Sequence, residues 1–314
     1  MPSRRSQKTL RLIRAHKRAA RAVSRSLIMR LDPRVQSVAR LRMGGTRACV
    51  LPLDIPTVMI FPVRAVTEDA VILHMHGGAY VSGGILQSRA IASPICASAQ
   101  IPTVTFSYRL APQYPYPAQV EDAYRVYCHL REMGFAAGRI ALTGESAGGN
   151  LALTLAARLR ERGEEMPAAM ALMSPWVDLA QTGASYQRLS DEDATLDAEE
   201  LMRSALAFAG SVSRLRDGDI SPLYADFHGF PPTQIHCGTQ EILLSDAEGL
   251  EGALLRDGME ARLFRWSGMC HVFQAFGFEE SKASIHQIGQ FLRRHLTGEP
   301  EKTPTGSRHD ENVK

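Results

Sequence analysis

Residues 7–30 set apolar positions Leu10, Ile13, Val23, Leu27 and Ile28 among basic ones. The spacing suits one or two helices, although the apolar face is broken and alanine-rich. From about residue 48 the pattern changes. Ala48–Leu53 and Val58–Pro62 read as an antiparallel pair of entry strands. After them, short apolar runs alternate with longer amphipathic ones. The strand-like runs are Ala70–His74, Thr103–Tyr108, Ile140–Thr143, Ala168–Met173, Thr233–Cys237 and Ala261–Phe264. The helix-like runs are Ser88–Gln100, Ala118–Met133, Ala147–Arg162, Ser245–Asp257 and Gln274–His295. Strands and helices of these lengths in alternation predict an α/β fold, a mostly parallel central sheet flanked by helices on both faces. Residues 180–227 interrupt the alternation with the charged stretch Asp191-Glu192-Asp193 and a helical stretch from Asp197 to Ala209. An insertion after a strand, at the C-terminal edge of the sheet, is where a lid over a site sits.

A chain of 314 residues suits one large domain or one domain with a cap, and 45% hydrophobic residues are ample for its core. The formal net charge is only +3, so no overall argument for a nucleic-acid partner follows. Between Arg4 and Arg34 the only acid is Asp32. A surface or cap helix with its charges in water is the favoured reading there, and a weak membrane-surface contact is the rival. No run of about 18 apolar residues marks a membrane span, and no apolar leader with a small-residue cleavage site opens the chain. The five cysteines show neither a disulfide framework nor a zinc spacing, so a reducing, cytoplasmic setting and no metal are expected.

The candidate chemistry lies in Gly144-Glu145-Ser146-Ala147-Gly148, between a strand-like run and a helix-like one. A serine on so tight a strand-to-helix turn is forced into an exposed, strained position, and the flanking glycines remove Cβ clashes. A hydroxyl attacks poorly near neutral pH, so it needs a histidine base, an acid to orient that base, and N–H donors for the oxyanion. Glu241 sits in the loop after Thr233–Cys237, at the correct edge of the sheet. Its rival, Asp246, falls at a helix start, where an acid usually caps free amides. The base is read as His271, which follows the last strand and precedes the closing helix. His236 reads as a core histidine, His286 and His295 as solvated, Cys270 as packing, and His76 as an anchor for its loop. The glycine loop His76-Gly77-Gly78-Ala79-Tyr80, after an earlier strand, supplies the oxyanion hole through Gly77 and Gly78, with Ala147 as the third donor. Glu145 is read as a brace for the elbow or a neighbouring loop, and Tyr80 and Phe208 as lining for the acyl site.

Taken together, His76-Gly77-Gly78-Ala79, Tyr108-Arg109-Leu110-Ala111-Pro112, Gly144–Gly149, Ser174-Pro175-Trp176-Val177-Asp178-Leu179 and Ser221-Pro222-Leu223-Tyr224 resemble the hormone-sensitive-lipase-like branch of the α/β-hydrolase fold. The resemblance runs from about Ala70 to Gly289. Three positions depart from the family pattern: Glu145 where aspartate is common, Glu241-Ile242-Leu243 where Asp-Pro-Leu is common, and Met269 where an aromatic is frequent. The resemblance implies a cap formed by an N-terminal helical segment, 1–45, and by the insertion at about 180–227 of a catalytic domain spanning 46–297. The polar tail 298–314 is expected to be disordered. It also implies a serine carboxylesterase that takes short- to medium-chain acyl esters of small molecules through an acyl-enzyme intermediate, without cofactor, often as a homodimer. Lactone hydrolysis, amide hydrolysis by the same triad, and ligand binding without catalysis on the same fold are the alternatives. The last typically goes with loss of the histidine, which this chain keeps as His271.

Overall fold

The computed structural model describes residues 45–299 together with Ser3, Arg4, Ser6, Gln7, Thr9 and Leu10. Its sheet has eight strands: β1 (Arg47–Val50), β2 (Thr57–Phe61), β3 (Val71–Met75), β4 (Thr103–Phe106), β5 (Ile140–Glu145), β6 (Ala169–Met173), β7 (Thr233–Gly238) and β8 (Ala261–Trp266). They lie side by side in the order β1-β2-β4-β3-β5-β6-β7-β8. β2 pairs antiparallel with β1 and β4, and every later pairing is parallel. Every residue of β3, β5, β6 and β7 is buried. Strands apolar on both sides need a helix layer on each face, and the parallel crossovers provide it.

The helices are α1 (Ile85–Ala99), α2 (Ala118–Glu132), α3 (Ala147–Glu161), the one-turn α4 (Ser185–Arg188), α5 (Ala198–Ala209), α6 (Leu244–Arg256) and α7 (Glu279–Thr297). Alternate side chains of β3 feed two cores. Ile72, with Ala70 just before the strand, packs with Ile91 and Ile95 of α1 and Ile288 and Leu292 of α7. Val71, Leu73 and Met75 belong to the larger core, with Val126 of α2, Leu155 of α3 and Leu250 of α6. Between β6 and β7 the chain leaves the sheet. There Asp197 caps α5 by accepting from the Glu200 amide at 3.0 Å, and Leu201, Ala205 and Phe208 form its buried face.

The strand and helix pattern read from the sequence corresponds to these elements, with three boundaries displaced by three residues or more: β1 ends at Val50 rather than Leu53, and α1 begins at Ile85 rather than Ser88. The closing helix begins at Glu279 rather than Gln274. Phe273–Phe276 is a separate 3-10 turn, and Gly277 at φ 65° cannot continue into an α-helix. The Phe278 amide then donates to Ser281 Oγ at 3.1 Å and starts α7 afresh.

The expected N-terminal cap segment and polar tail fall largely outside the described residues. Within them, Leu10 is buried against Ala194 of the insertion and against Met269, Cys270, Phe273 and Phe278. Among the described residues no helix is long and apolar enough to cross a membrane.

Candidate active site

The predicted elbow is a sharp turn between β5 and α3. Ser146 takes φ 55° and ψ −122°, a region that non-glycine residues rarely enter. Its amide donates to Met173 O of β6 at 2.9 Å, and its carbonyl accepts from the Gly149 and Trp176 amides. The two flanking glycines have different partners. A Cβ on Gly144 would lie 2.2 Å from Gly148 O, inside the turn itself. A Cβ on Gly148 would lie 2.0 Å from Met75 O, where α3 meets the end of β3. Gly148→Ala therefore presses against backbone that cannot rotate away. We expect a loss at or above the upper end of the about 1–3 kcal/mol typical of overpacking, read as a depressed melting temperature or as loss of soluble protein.

Glu241 and His271 meet directly. His271 Nδ1 lies 2.7 Å from Glu241 Oε2, and both side chains are buried. A carboxylate oxygen accepts, so Nδ1 carries the proton and Nε2 keeps its lone pair. The other oxygen, Oε1, accepts from the Gly238 amide at 2.7 Å, the Ser174 hydroxyl at 2.8 Å and the Cys237 thiol at 3.2 Å. Burial pushes the Cys237 thiol well up, so it stays a donor. The insertion also grips this loop. Asp193 Oδ2 accepts from the Ile242 amide at 2.9 Å, and Ser185 Oγ donates to Ile242 O. The stretch Asp191-Glu192-Asp193 reads in sequence simply as charged, yet Asp193 is buried.

The end of β6 links all three predicted residues. Met173 O holds the Ser146 amide, and the next residue, Ser174, touches both Glu241 and the amide of Val272, which follows His271.

Asp246 is placed elsewhere, and its expected capping role is not the one observed. Its Oδ2 accepts from the Val177 and Asp178 amides at 2.9 and 2.8 Å, and it makes no side-chain cap to its own helix. Burial raises its carboxyl well above the usual range. It ties α6 to the segment leaving β6.

The glycine loop lies against the nucleophile: a Cβ on Gly77 would sit 3.1 Å from Ser146 Cβ. Here one expected role changes. The Gly77 amide donates to Glu145 Oε1 at 2.7 Å. One amide proton cannot also serve a substrate oxygen, so Gly77 leaves the expected donor set. Glu145 thus braces this loop, and His74 Nε2 lies 3.0 Å from its other oxygen. Among the described residues, the Gly78 and Ala79 amides are not engaged in this way, and the Ala147 amide, in the first turn of α3, has no intrahelical acceptor. The sequence points only to the two glycines, because only they advertise close approach. The φ of 52° at Ala79 shows that the turn continues past them.

Of the remaining histidines, His76 and His236 are structural. His76 donates from Nδ1 to Gly77 O at 2.7 Å, stacks on Tyr108 at 4.0 Å, and is pushed down to about 4 by burial. His236 accepts at Nδ1 from Trp266 Nε1 and Ser284 Oγ, and burial pushes it down to about 3. His286 is exposed, but His295 is half-buried beside Phe291 rather than fully solvated. For His76 and His236 the neutral form is favoured in the fold, while an unfolded imidazole takes a proton near 6.5. Their stabilisation is complete above about pH 6.5 and is lost as pH falls toward 4 and then 3. Between pH 7 and pH 5 each costs about 2 kcal/mol. The melting temperature should therefore drop over that interval, and less steeply for His236→Gln.

Tyr80 and Phe208 do not form an open acyl wall. Both are buried and stack at 3.8 Å, and the Tyr80 hydroxyl donates to Asn150 Oδ1 at 2.8 Å. They seal the insertion onto the core. Met269 is likewise buried, in the cluster around Leu10. Among the described residues, Asp226, His228 and Asp257 form a group with metal-ligating atoms within 4.8 Å of one another. Arg160 and Arg256 already pair with its carboxylates, and none of its members lies in the elbow, the acid loop or the histidine loop.

A family model described as alpha/beta hydrolase fold matches residues 72–275. An acetyl-hydrolase of Streptomyces hygroscopicus is 36% identical over 240 residues, covering 76% of this chain and 80% of that protein. An esterase of Acinetobacter venetianus is 32% identical over 264 residues, covering 80% and 87%. The crystal structure of an esterase from the bacterial hormone-sensitive lipase family superposes with a TM-score of 0.82 at 32% identity, covering 94% of this chain and 99% of that one. This chain belongs to the α/β-hydrolase superfamily, in its hormone-sensitive-lipase-like branch of carboxylic ester hydrolases.

Proposed function

We propose that this chain is a serine carboxylesterase that cleaves short- to medium-chain acyl esters of small molecules through an acyl-enzyme intermediate. Ser146 is the nucleophile, His271 the base and Glu241 the acid that orients it. The observation that carries the reading is the 2.7 Å bond from His271 Nδ1 to a carboxylate whose second oxygen is occupied by three donors. That bond fixes the imidazole so that Nε2 is free to take the Ser146 proton. The oxygen of Ser146 then attacks the ester carbonyl, and the developing oxyanion accepts from the amides of Gly78, Ala79 and Ala147, at roughly 3–4 kcal/mol for each donor. His271 passes its proton to the leaving alcohol. Water, deprotonated by His271, then releases the acid and restores Ser146.

The short end of the acyl range is supported by relatives that are named acetyl-hydrolase and esterase. A p-nitrophenyl series from acetate through butyrate and octanoate to palmitate tests it. We expect kcat/KM to be highest among the short and middle chains and to collapse at palmitate. A maximum at palmitate would contradict the range, and hydrolysis of anilides at rates matching the esters would favour the amidase reading. Assembly as a homodimer belongs to the same proposal and gel filtration tests it; vesicle sedimentation tests the rival reading of the basic N-terminus as a weak membrane contact.

A further inference from the structure

Of the seven non-glycine residues with positive φ among the described ones, five cluster at the candidate site: Ala79, Tyr80, Ser146, Ser174 and Val272. Ala79, Tyr80 and Ser146 belong to the oxyanion loop and the elbow. Ser174 enters the mechanism above only as one of three donors to Glu241 and Val272 not at all, yet the two are bonded to each other. The Val272 amide donates to Ser174 Oγ at 3.1 Å, and Ser174 Oγ donates its own proton to Glu241 Oε1 at 2.8 Å. Ser174 is fully buried, and its amide is fixed by His236 O at 2.7 Å. A β-branched residue at φ 48°, as Val272 is, is costly and persists only where its surroundings hold it.

We infer that Ser174 is a positioning residue that locks the catalytic acid and the histidine loop into one register. Its hydroxyl uses both of its capacities at once. As a donor it fixes the rotation of the Glu241 carboxylate, so that Oε2 faces His271. As an acceptor it holds the backbone immediately after His271 in its strained turn. The acid here is a glutamate, one methylene longer than aspartate and with one more rotatable bond, so an added restraint on its far oxygen matters more. The proton donated to Oε1 also draws charge away from the carboxylate and tempers its pull on the imidazolium. The inference rests on the assignment of Glu241 and His271 above.

The two roles of position 174, conformational and chemical, separate under substitution. Glycine suits φ 46° at least as well as serine does, which offsets part of the loss of the hydroxyl's two hydrogen bonds, so Ser174→Gly should fold and melt above Ser174→Ala. Losing a hydrogen bond to a charged group should lower kcat about tenfold to a hundredfold, with KM within about threefold. The acidic limb of the kcat/KM profile should move to higher pH, because the freed carboxylate holds the imidazolium more tightly. Ser174→Ala should show the same kinetic change and melt below Ser174→Gly. Glu241→Gln is measured alongside. If Glu241→Gln is inactive while Ser174→Gly keeps kcat within about threefold, or loses kcat with no movement of the acidic limb, the positioning role is wrong and the triad stands. If Glu241→Gln is itself fully active, the triad assignment fails first.

Discussion

Ser146→Ala should lower kcat on p-nitrophenyl butyrate by a factor on the order of 10⁶, because removal of a triad serine leaves only binding and oxyanion stabilisation. The fold should survive. Ser146 is the residue before α3, and its structural bonds are made by its backbone, to Met173 O and from the Gly149 and Trp176 amides. Alanine keeps those bonds. It inherits the same φ of 55°, so a small change of melting temperature in either direction is the whole structural cost. Circular dichroism and thermal melting should therefore match the parent while activity vanishes. Residual activity above about one part in a thousand would mean that another group attacks the ester. Cys270, the thiol beside His271, is the obvious rival in sequence, but it is buried in the cluster with Met269 and Phe273.

Glu241→Gln carries the second large expectation. The amide keeps the size of the side chain but not its charge, and it can present an N–H where His271 Nδ1–H needs an acceptor. A comparable change in a serine protease triad costs about 10⁴ in kcat, and a loss of that order is expected here. Asp246→Asn is the matched control. Burial already pushes the Asp246 carboxyl well up, and an amide oxygen can keep both bonds to the Val177 and Asp178 amides. Activity within about tenfold of the parent is expected. The reverse ranking, with Asp246→Asn inactive and Glu241→Gln active, would transfer the acid's role to the other loop.

Why the sequence was legible at some positions and not at others follows from what each position must do. The parallel core is written in apolar runs that need cover on both sides, so the central strands and most helices could be placed. Gly144 and Gly148 mark close approaches that no other residue permits, and a serine between such glycines is conspicuous. Glu241 and His271 follow from chain order once the strands are located. Roles that depend on where a side chain points after folding were hidden. Gly77 looks like a free donor in sequence, but its amide is taken by Glu145, a residue 68 positions away. Asp246 has the position of a helix cap, yet it serves a different segment. Asp193 sits in a stretch that reads simply as charged, but it is buried under the acid loop. Ser174 lies in a block that fits the family pattern and gives no hint of its two bonds. The break before α7 was hidden as well: the helical periodicity of 274–295 masks the left-handed Gly277.

Acylation of Ser146 is the step on which the proposed mechanism depends. Treating the folded protein with a fluorophosphonate and mapping the adduct by peptide mass spectrometry tests that claim without choosing a substrate. One stoichiometric adduct is expected, on the peptide containing Ser146, and none on Ser146→Ala. A parent protein that stays unlabelled under conditions in which it hydrolyses esters, or an adduct mapped to any other residue, would contradict it.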